Sequence, residues 1–468
     1  MRLETVRRTD MADHIDHPFD VSETDHLWIE MTDGVRLAAR LWRPVTQTPV
    51  PAILEYIPYR KSDMVRARDE RNHPFFAANG YACIRVDMRG SGDSEGHMPD
   101  MYAEAELDDA RQVIEWLAAQ PWCTGRVGMF GTSWGGTAAL QASVDAPEPL
   151  KAVIAVCATH DRFQDDIHYM GGCVLSDTFE WGATLPAILA SPPTPNAGRD
   201  WQSLWKQRLQ QLDFPLQNWL RERGRGTYWR RGSVIHDARS LSVPILSVGG
   251  WSDRYSNSVM ALVDARPDLV WGVVGPWGHH YPDHGSPGPA IGFQRLALGW
   301  WDHWLKPAVP KDPDWPRLRV WLRGFDPPGN ALAQRAGRWI ESGPAGQETV
   351  LREMSLDAMA SPQGTLPLQL HHDPLVGQCA GDTGYFGRSG GLPLDQTPDD
   401  ARSLVFETDP LTEDVVIYGS TRVQLSGTAS GKPAPIVARL SDVDTNGVAA
   451  RISYGVRNLA LDENPDHT

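Results

Sequence analysis

The run Arg126-Val-Gly-Met-Phe-Gly-Thr-Ser-Trp-Gly-Gly136 constrains the fold more than any other stretch of the chain. Arg126 to Phe130 reads as a short, mostly apolar strand, and Gly136-Thr-Ala-Ala-Leu-Gln-Ala-Ser143 as a helix of small residues. Between them, Gly131-Thr132-Ser133-Trp134-Gly135 places the pattern G-x-S-x-G at a strand-to-helix junction. Glycines two before and two after the serine remove Cβ atoms that would collide in so tight a turn, and the hydroxyl then stands above the sheet edge. The helix that follows aims its free N–H groups and positive dipole end at the same point, where an oxyanion would develop. The bland alternative is a glycine-rich turn with an idle serine. If Ser133 is a nucleophile, the rest of the chain must supply a base, an orienting acid and a second oxyanion donor.

The surrounding pattern is one of strands alternating with helices. Trp28–Met31 and Leu37–Trp42 read as a hairpin turning through Asp33-Gly34, followed by strands at 52–57 and 81–86. A helical piece lies around 74–78, and a longer helix over 102–119 carries Leu107, Ala110, Val113, Ile114 and Leu117 on one stripe. Further strands at 152–156, 244–248 and 269–274 imply a largely parallel sheet covered on both faces, an α/β fold. Between 161 and 240 the alternation stops, and helical pieces broken by Ser191-Pro-Pro-Thr-Pro195 suggest a cap over the site. Residues 26–160 and 241–306 are therefore assigned to the α/β domain and 161–240 to the cap. Short strand-like runs at 318–322, 415–418, 421–425 and 436–440 place a C-terminal β sandwich or jelly roll over 316–468.

Sites that attack through serine on such a sheet carry their acid and base, in that order, on loops after later strands. The loop after Val248 holds Asp253, and the loop after Val274 holds His279 and His280. Ser133 would attack, His279 (favoured over His280) would take and return its proton, and Asp253 would fix the imidazole. The backbone N–H of Trp134 is one oxyanion donor. The loop after 52–57 lacks a Gly-Gly run but offers the hydroxyl of Tyr59 as the second, a packed tyrosine being the alternative.

Pro58-Tyr-Arg-Lys61, Asp87-Met-Arg-Gly-Ser-Gly-Asp-Ser-Glu-Gly96, Trp116-Leu-Ala-Ala-Gln-Pro-Trp122, the Gly131–Gly136 run, Gly250-Trp-Ser-Asp253 and Gly275-Pro-Trp-Gly-His279 together resemble the CocE/NonD-type hydrolases. That group includes cocaine esterases, glutaryl acylases, α-amino-acid ester hydrolases and X-Pro dipeptidyl-peptidases. The resemblance runs from about residue 26 to the end. It implies an α/β-hydrolase domain, a helical cap and a C-terminal jelly roll, with nucleophile, acid and base on Ser133, Asp253 and His279 and the oxyanion tyrosine on Tyr59. Two departures stand out. Asp253 is followed by Arg254-Tyr255-Ser256-Asn257 rather than by the carboxylates with which α-amino-acid ester hydrolases hold an ammonium group. The family's jelly roll also extends beyond what the residues after 316 supply, so an incomplete β domain is expected.

A formal net charge of −15 argues against nucleic acid or an anionic membrane as the main partner. No apolar run approaches the ~20 residues of a membrane helix, the N-terminus lacks a signal-peptide core, and five scattered cysteines fit reduced thiols, so a cytoplasmic enzyme is expected. Neither a cofactor nor a metal is expected: His279, His280, Asp283 and His284 have no H-E-x-x-H helix, and Asp442–Gly447 reads as a hairpin turn rather than a calcium loop. Arg89 and Asp93 are read as an ion-paired brace. The expected activity is hydrolysis of small esters or amides, esterase being favoured over acylase or X-Pro peptidase. The alternative of another class is a silent binding protein that keeps the pocket.

Overall fold

Strands in which almost every residue is buried require cover on both faces, and the chain supplies a row of them. The computed structural model describes residues 18–198, 200–306, 315–329, 331–342, 353–356, 359, 368–381, 391–431 and 434–459. The strands are β1 (Val21–Glu30), β2 (Arg36–Pro44), β3 (Val50–Ile57), β4 (Ala82–Asp87), β5 (Cys123–Thr132), β6 (Leu150–Val156), the short pair β7 (Tyr169–Met170) and β8 (Cys173–Val174), then β9 (Ile245–Gly250), β10 (Val270–Gly275), β11 (Leu318–Arg323) and β12 (Gly337–Ser342). All but β7 and β8 form one ten-stranded sheet in the order β1-β2-β4-β3-β5-β6-β9-β10-β11-β12. It is parallel from β4 to β11 and antiparallel at both margins. The expected hairpin is present between β1 and β2, but its loop is Thr32-Asp33-Gly34: Met31 and Val35 are bonded across it, and only Gly34 takes positive φ.

The helices are α1 (Arg66–Ala78), α2 (Glu104–Ala118), α3 (Trp134–Ala142), α4 (Asp177–Leu189), α5 (Trp201–Gln210), α6 (Leu216–Arg221), α7 (Thr227–Arg230), α8 (Ser258–Ala265), α9 (Phe293–Leu305) and the single turn α10 (Thr397–Asp400). Helix α9 buries Phe293, Ala297, Trp300, Trp301 and Leu305, the stripe an amphipathic helix lays on a sheet. A Cβ on Gly128 of β5 would come within 2.7 Å of the Trp301 ring, so the indole fills a groove that only glycine leaves open. Removing such a buried ring costs about 3–5 kcal/mol. Helices α1 and α9 pack together on the sheet, and α2 and α3 form a second layer over β3 and β5.

The helical insertion carries α4 to α7. It is pinned to the turn after β4: the Arg208 guanidinium of α5 donates to the carbonyls of Gly92 (2.9 Å) and Ser94 (2.8 Å), and Asp93 accepts from the N–H (2.7 Å) and hydroxyl (2.9 Å) of Thr194. Strands β11 and β12, from the start of the expected β domain, extend the main sheet instead of standing apart. Beyond them β13 (Pro435–Val443) and β14 (Ala449–Asn458) pair as a hairpin, with Gly447 at positive φ in its turn. Asn458 donates its N–H to Gly171 O of the cap at 2.9 Å. Residues 415–418 and 421–425 form no strand: Val415, Val416, Ile417, Val423 and Leu425 are exposed, β-formers without a partner edge to pair with. Most of the linker at 307–316 and the chain end after 459 lie outside the described residues. No described helix is long and apolar enough to cross a membrane.

Candidate active site

Ser133 sits between β5 and α3 with φ 59° and ψ −124°, a conformation a non-glycine residue holds only under constraint. Its N–H bonds Val156 O at 2.9 Å, and its carbonyl takes the Thr137 N–H at 2.9 Å. The flanking glycines differ in necessity. A Cβ on Gly131 would lie 2.5 Å from the Gly135 carbonyl carbon, whereas one on Gly135 would meet only the Ile57 side chain, at 3.2 Å. Trp134 opens α3, so its backbone N–H has no partner within the helix. The Tyr59 hydroxyl is hydrogen-bonded to Ser133, and burial pushes its phenol well above the ordinary range, which keeps it a donor. The loop that carries Tyr59 is held by Asp87, whose carboxylate accepts the Lys61 N–H at 2.8 Å, and by Arg85, which donates to Ile57 O at 3.0 Å.

On the loop after β9, Asp253 is buried, and its Oδ1 accepts the Arg254 N–H at 2.8 Å and lies 2.9 Å from His279 Nδ1. The two loops are laced together: Trp251 N–H to Gly275 O (2.9 Å), Ser252 N–H to Trp277 O (3.1 Å) and Ser252 Oγ to Pro276 O (2.9 Å). Burial raises the Asp253 pKa, but the charge and hydrogen bond of His279, the Cys157 thiol and the Arg254 N–H bring it net below the ordinary carboxylate value. Burial likewise disfavours protonation of His279, and Asp253 reverses this, leaving the ring above 6.5. His280 is shifted the other way, by burial and by the neighbouring His279.

These two pairs share one edge of the sheet. Thr132 is in register with Val156, Val156 with Val248, and Gly250 with Gly275, so the loops carrying Ser133, Asp253 and His279 leave the same C-terminal ends of adjacent parallel strands. A cavity of about 390 Å³ lined by Arg126, Leu150, Pro244 and Trp304 contains none of these residues.

Several neighbours were not marked by the sequence. Trp181 of α4 stands edge-on to Tyr59 (6.1 Å between ring centroids) and to Trp134 (6.2 Å). Tyr255 lies 5.7 Å from the His279 ring and is hydrogen-bonded to Asp166. Burial lifts both Asp165 and Asp166 to about 7. An Asp-Asp pair in a stretch of loops was the one available signal for the latter. The expected Arg89–Asp93 brace is corrected: Arg89 pairs with Asp109 (2.6 Å) and Asp33 (2.7 Å), while Asp93 turns to Lys61 (3.2 Å) and Thr194. Glu55, Asp69 and His73 also bring possible metal donors within 4.8 Å, and the guanidinium groups of Arg68 and Arg85 already balance the charge of these carboxylates.

Against known families, residues 33–281 match peptidase S15, described as X-Pro dipeptidyl-peptidase, and residues 313–467 match the X-Pro dipeptidyl-peptidase C-terminal non-catalytic domain. The chain belongs to the S15 family. As an S15-family member it is a serine hydrolase, and the CocE/NonD resemblance is upheld. The cocaine esterase of Rhodococcus sp. (strain MB1 Bresler) is 26% identical over 94% of this chain and 84% of its own. A CocE/NonD family hydrolase from Staphylococcus aureus shares the fold with a TM-score of 0.54 and 17% identity, over 69% of this chain. An aminopeptidase from a marine sediment Thaumarchaeota archaeon does so with a TM-score of 0.50 and 22% identity, again over 69% of this chain. This S15-family chain matches just over half the length of these two solved proteins, 56% and 60% respectively.

Proposed function

We propose that this chain is a carboxylic-ester hydrolase that works through an acyl-enzyme on Ser133, with His279 as base and Asp253 as orienting acid. Ser133 Oγ attacks the ester carbonyl carbon while the far ring nitrogen of His279 takes its proton. The carbonyl oxygen, now negative, is held by the Trp134 N–H and the Tyr59 hydroxyl. Collapse of the adduct expels the alcohol, which receives the proton from His279, and water repeats the sequence to release the acid. The observation that carries this reading is the 2.9 Å Asp253–His279 bond on the sheet edge where Tyr59 is bonded to Ser133. A fluorophosphonate probe tests it: the wild type becomes labelled and Ser133→Ala does not. Well-folded wild-type protein that resists labelling would favour a silent binding protein.

A second reading, release of an amino-terminal residue or dipeptide, draws support from Asp165 and Asp166. Asp166 reaches the His279 ring through Tyr255, and a carboxylate there could meet a substrate ammonium. Relative kcat/KM on 4-nitrophenyl esters, an X-Pro anilide and a glutaryl amide decides between the substrates.

A further inference from the structure

The mechanism above leaves a buried acid beside the oxyanion donors without a task. Glu106, in the first turn of α2, is 5% exposed. Its Oε1 accepts the indole N–H of Trp134 at 2.6 Å and its Oε2 the backbone N–H of Tyr102 at 2.8 Å. Burial carries its pKa up to about 7, opposed by those two hydrogen bonds and, at longer range, by Arg162 and Arg231. A carboxyl is a costly occupant of such a place, where an apolar side chain would pack without desolvation loss. The residue it grips follows the nucleophile, and the Trp134 ring stands edge-on to Tyr59, 6.4 Å between centroids. The ring also meets Tyr102 (5.4 Å), which is itself held at φ 56°. Both oxyanion donors, the Trp134 N–H and the Tyr59 hydroxyl, therefore lean on one indole whose only polar atom is fixed by Glu106.

We propose that Glu106 is a positioning residue of the oxyanion hole, setting the Trp134 ring and with it the placement of both donors; this rests on the hydrolase mechanism proposed above. Its contribution falls on the tetrahedral adduct rather than on ground-state binding.

Two variants test it. In Glu106→Gln the amide can accept from only one N–H and turns its own donor toward the other; Trp134→Phe keeps a ring and removes the indole N–H. Each is expected to lower kcat about tenfold with KM within about twofold, and to weaken a trifluoromethyl ketone inhibitor in parallel with kcat, misplacement of reacting groups by fractions of an ångström being enough. The double variant is expected to lose little more than either single one, since both break one bond. Wild-type kcat and ketone affinity in Glu106→Gln, or losses that multiply in the double variant, would overturn the proposal while labelling of Ser133 stands. Failure of the wild type to label at all would instead remove the mechanism, and the proposal with it.

Discussion

His279 Nδ1 lies 2.9 Å from Asp253 Oδ1, and each residue alters the proton affinity of the other: the ring is held above 6.5 and the carboxyl below 3.8. A base must be unprotonated to act, so kcat/KM should fall as pH drops through a value above 6.5. Asp253→Asn removes the charge that raises it. The acid limb should then move downward, and kcat at its plateau should fall by roughly 10³–10⁴. The same shifts bear on stability. His279 binds its proton more tightly in the folded state, so its contribution is full below pH 6.5 and is lost as pH rises through the higher folded value. Asp253, with its folded pKa depressed, contributes above 3.8 and loses that contribution in acid. Rate profiles and urea melts across pH 3–9 read both.

Tyr59 is hydrogen-bonded to Ser133 in the resting site and is proposed to donate to the oxyanion in the adduct. Tyr59→Phe should cut kcat by about 10²–10³ and leave KM nearly unchanged, as the loss of one such donor does elsewhere. Steady-state kinetics on a 4-nitrophenyl ester measure the split.

The elbow glycines make opposite predictions. Gly131→Ala would drive a methyl group to 2.5 Å from backbone that cannot move aside, and should destabilise by about 3 kcal/mol or more with loss of labelling. Gly135→Ala comes nearest to the Ile57 side chain, at 3.2 Å from its Cδ1, and should cost under about 1 kcal/mol. Chemical denaturation of both variants gives the comparison.

Arg208 ties the cap to the turn at Gly92 and Ser94. Arg208→Ala should remove about 2–3 kcal/mol of local stability, because two buried carbonyls lose charged donors. Hydrogen exchange should rise across residues 191–212 while the sheet strands stay protected.

Much of this was legible before any coordinates. The runs at 52–57, 152–156, 244–248 and 269–274 are long enough and apolar enough to be buried strands, and each is one. The serine turn and the two later loops follow from strand order alone. Helix α1 shows where reading stops. Pro74 marks a break in sequence, yet the helix runs from Arg66 through it. Its first half is anchored by Arg68 to Glu55 (2.7 Å) and by Asp69 to Arg85 (3.1 Å), partners that sit on β3 and β4. Nothing local could announce them. The strands expected at 415–425 fail for the converse reason: β-branched residues make a strand only where an edge is offered.

By itself, then, the sequence determined which residues could bear the chemistry, because periodicity and turn glycines are local and place Ser133, Asp253, His279 and Tyr59 at strand ends. The tertiary structure alone decided what surrounds them. That Trp134 would be gripped by Glu106, that Tyr255 would connect His279 to Asp166, and that Arg89 would choose Asp109 over Asp93 depend on burial and charge contributed from distant segments. A side chain's partner is set by which desolvated group lies within reach after packing, and spacing along the chain carries no record of that.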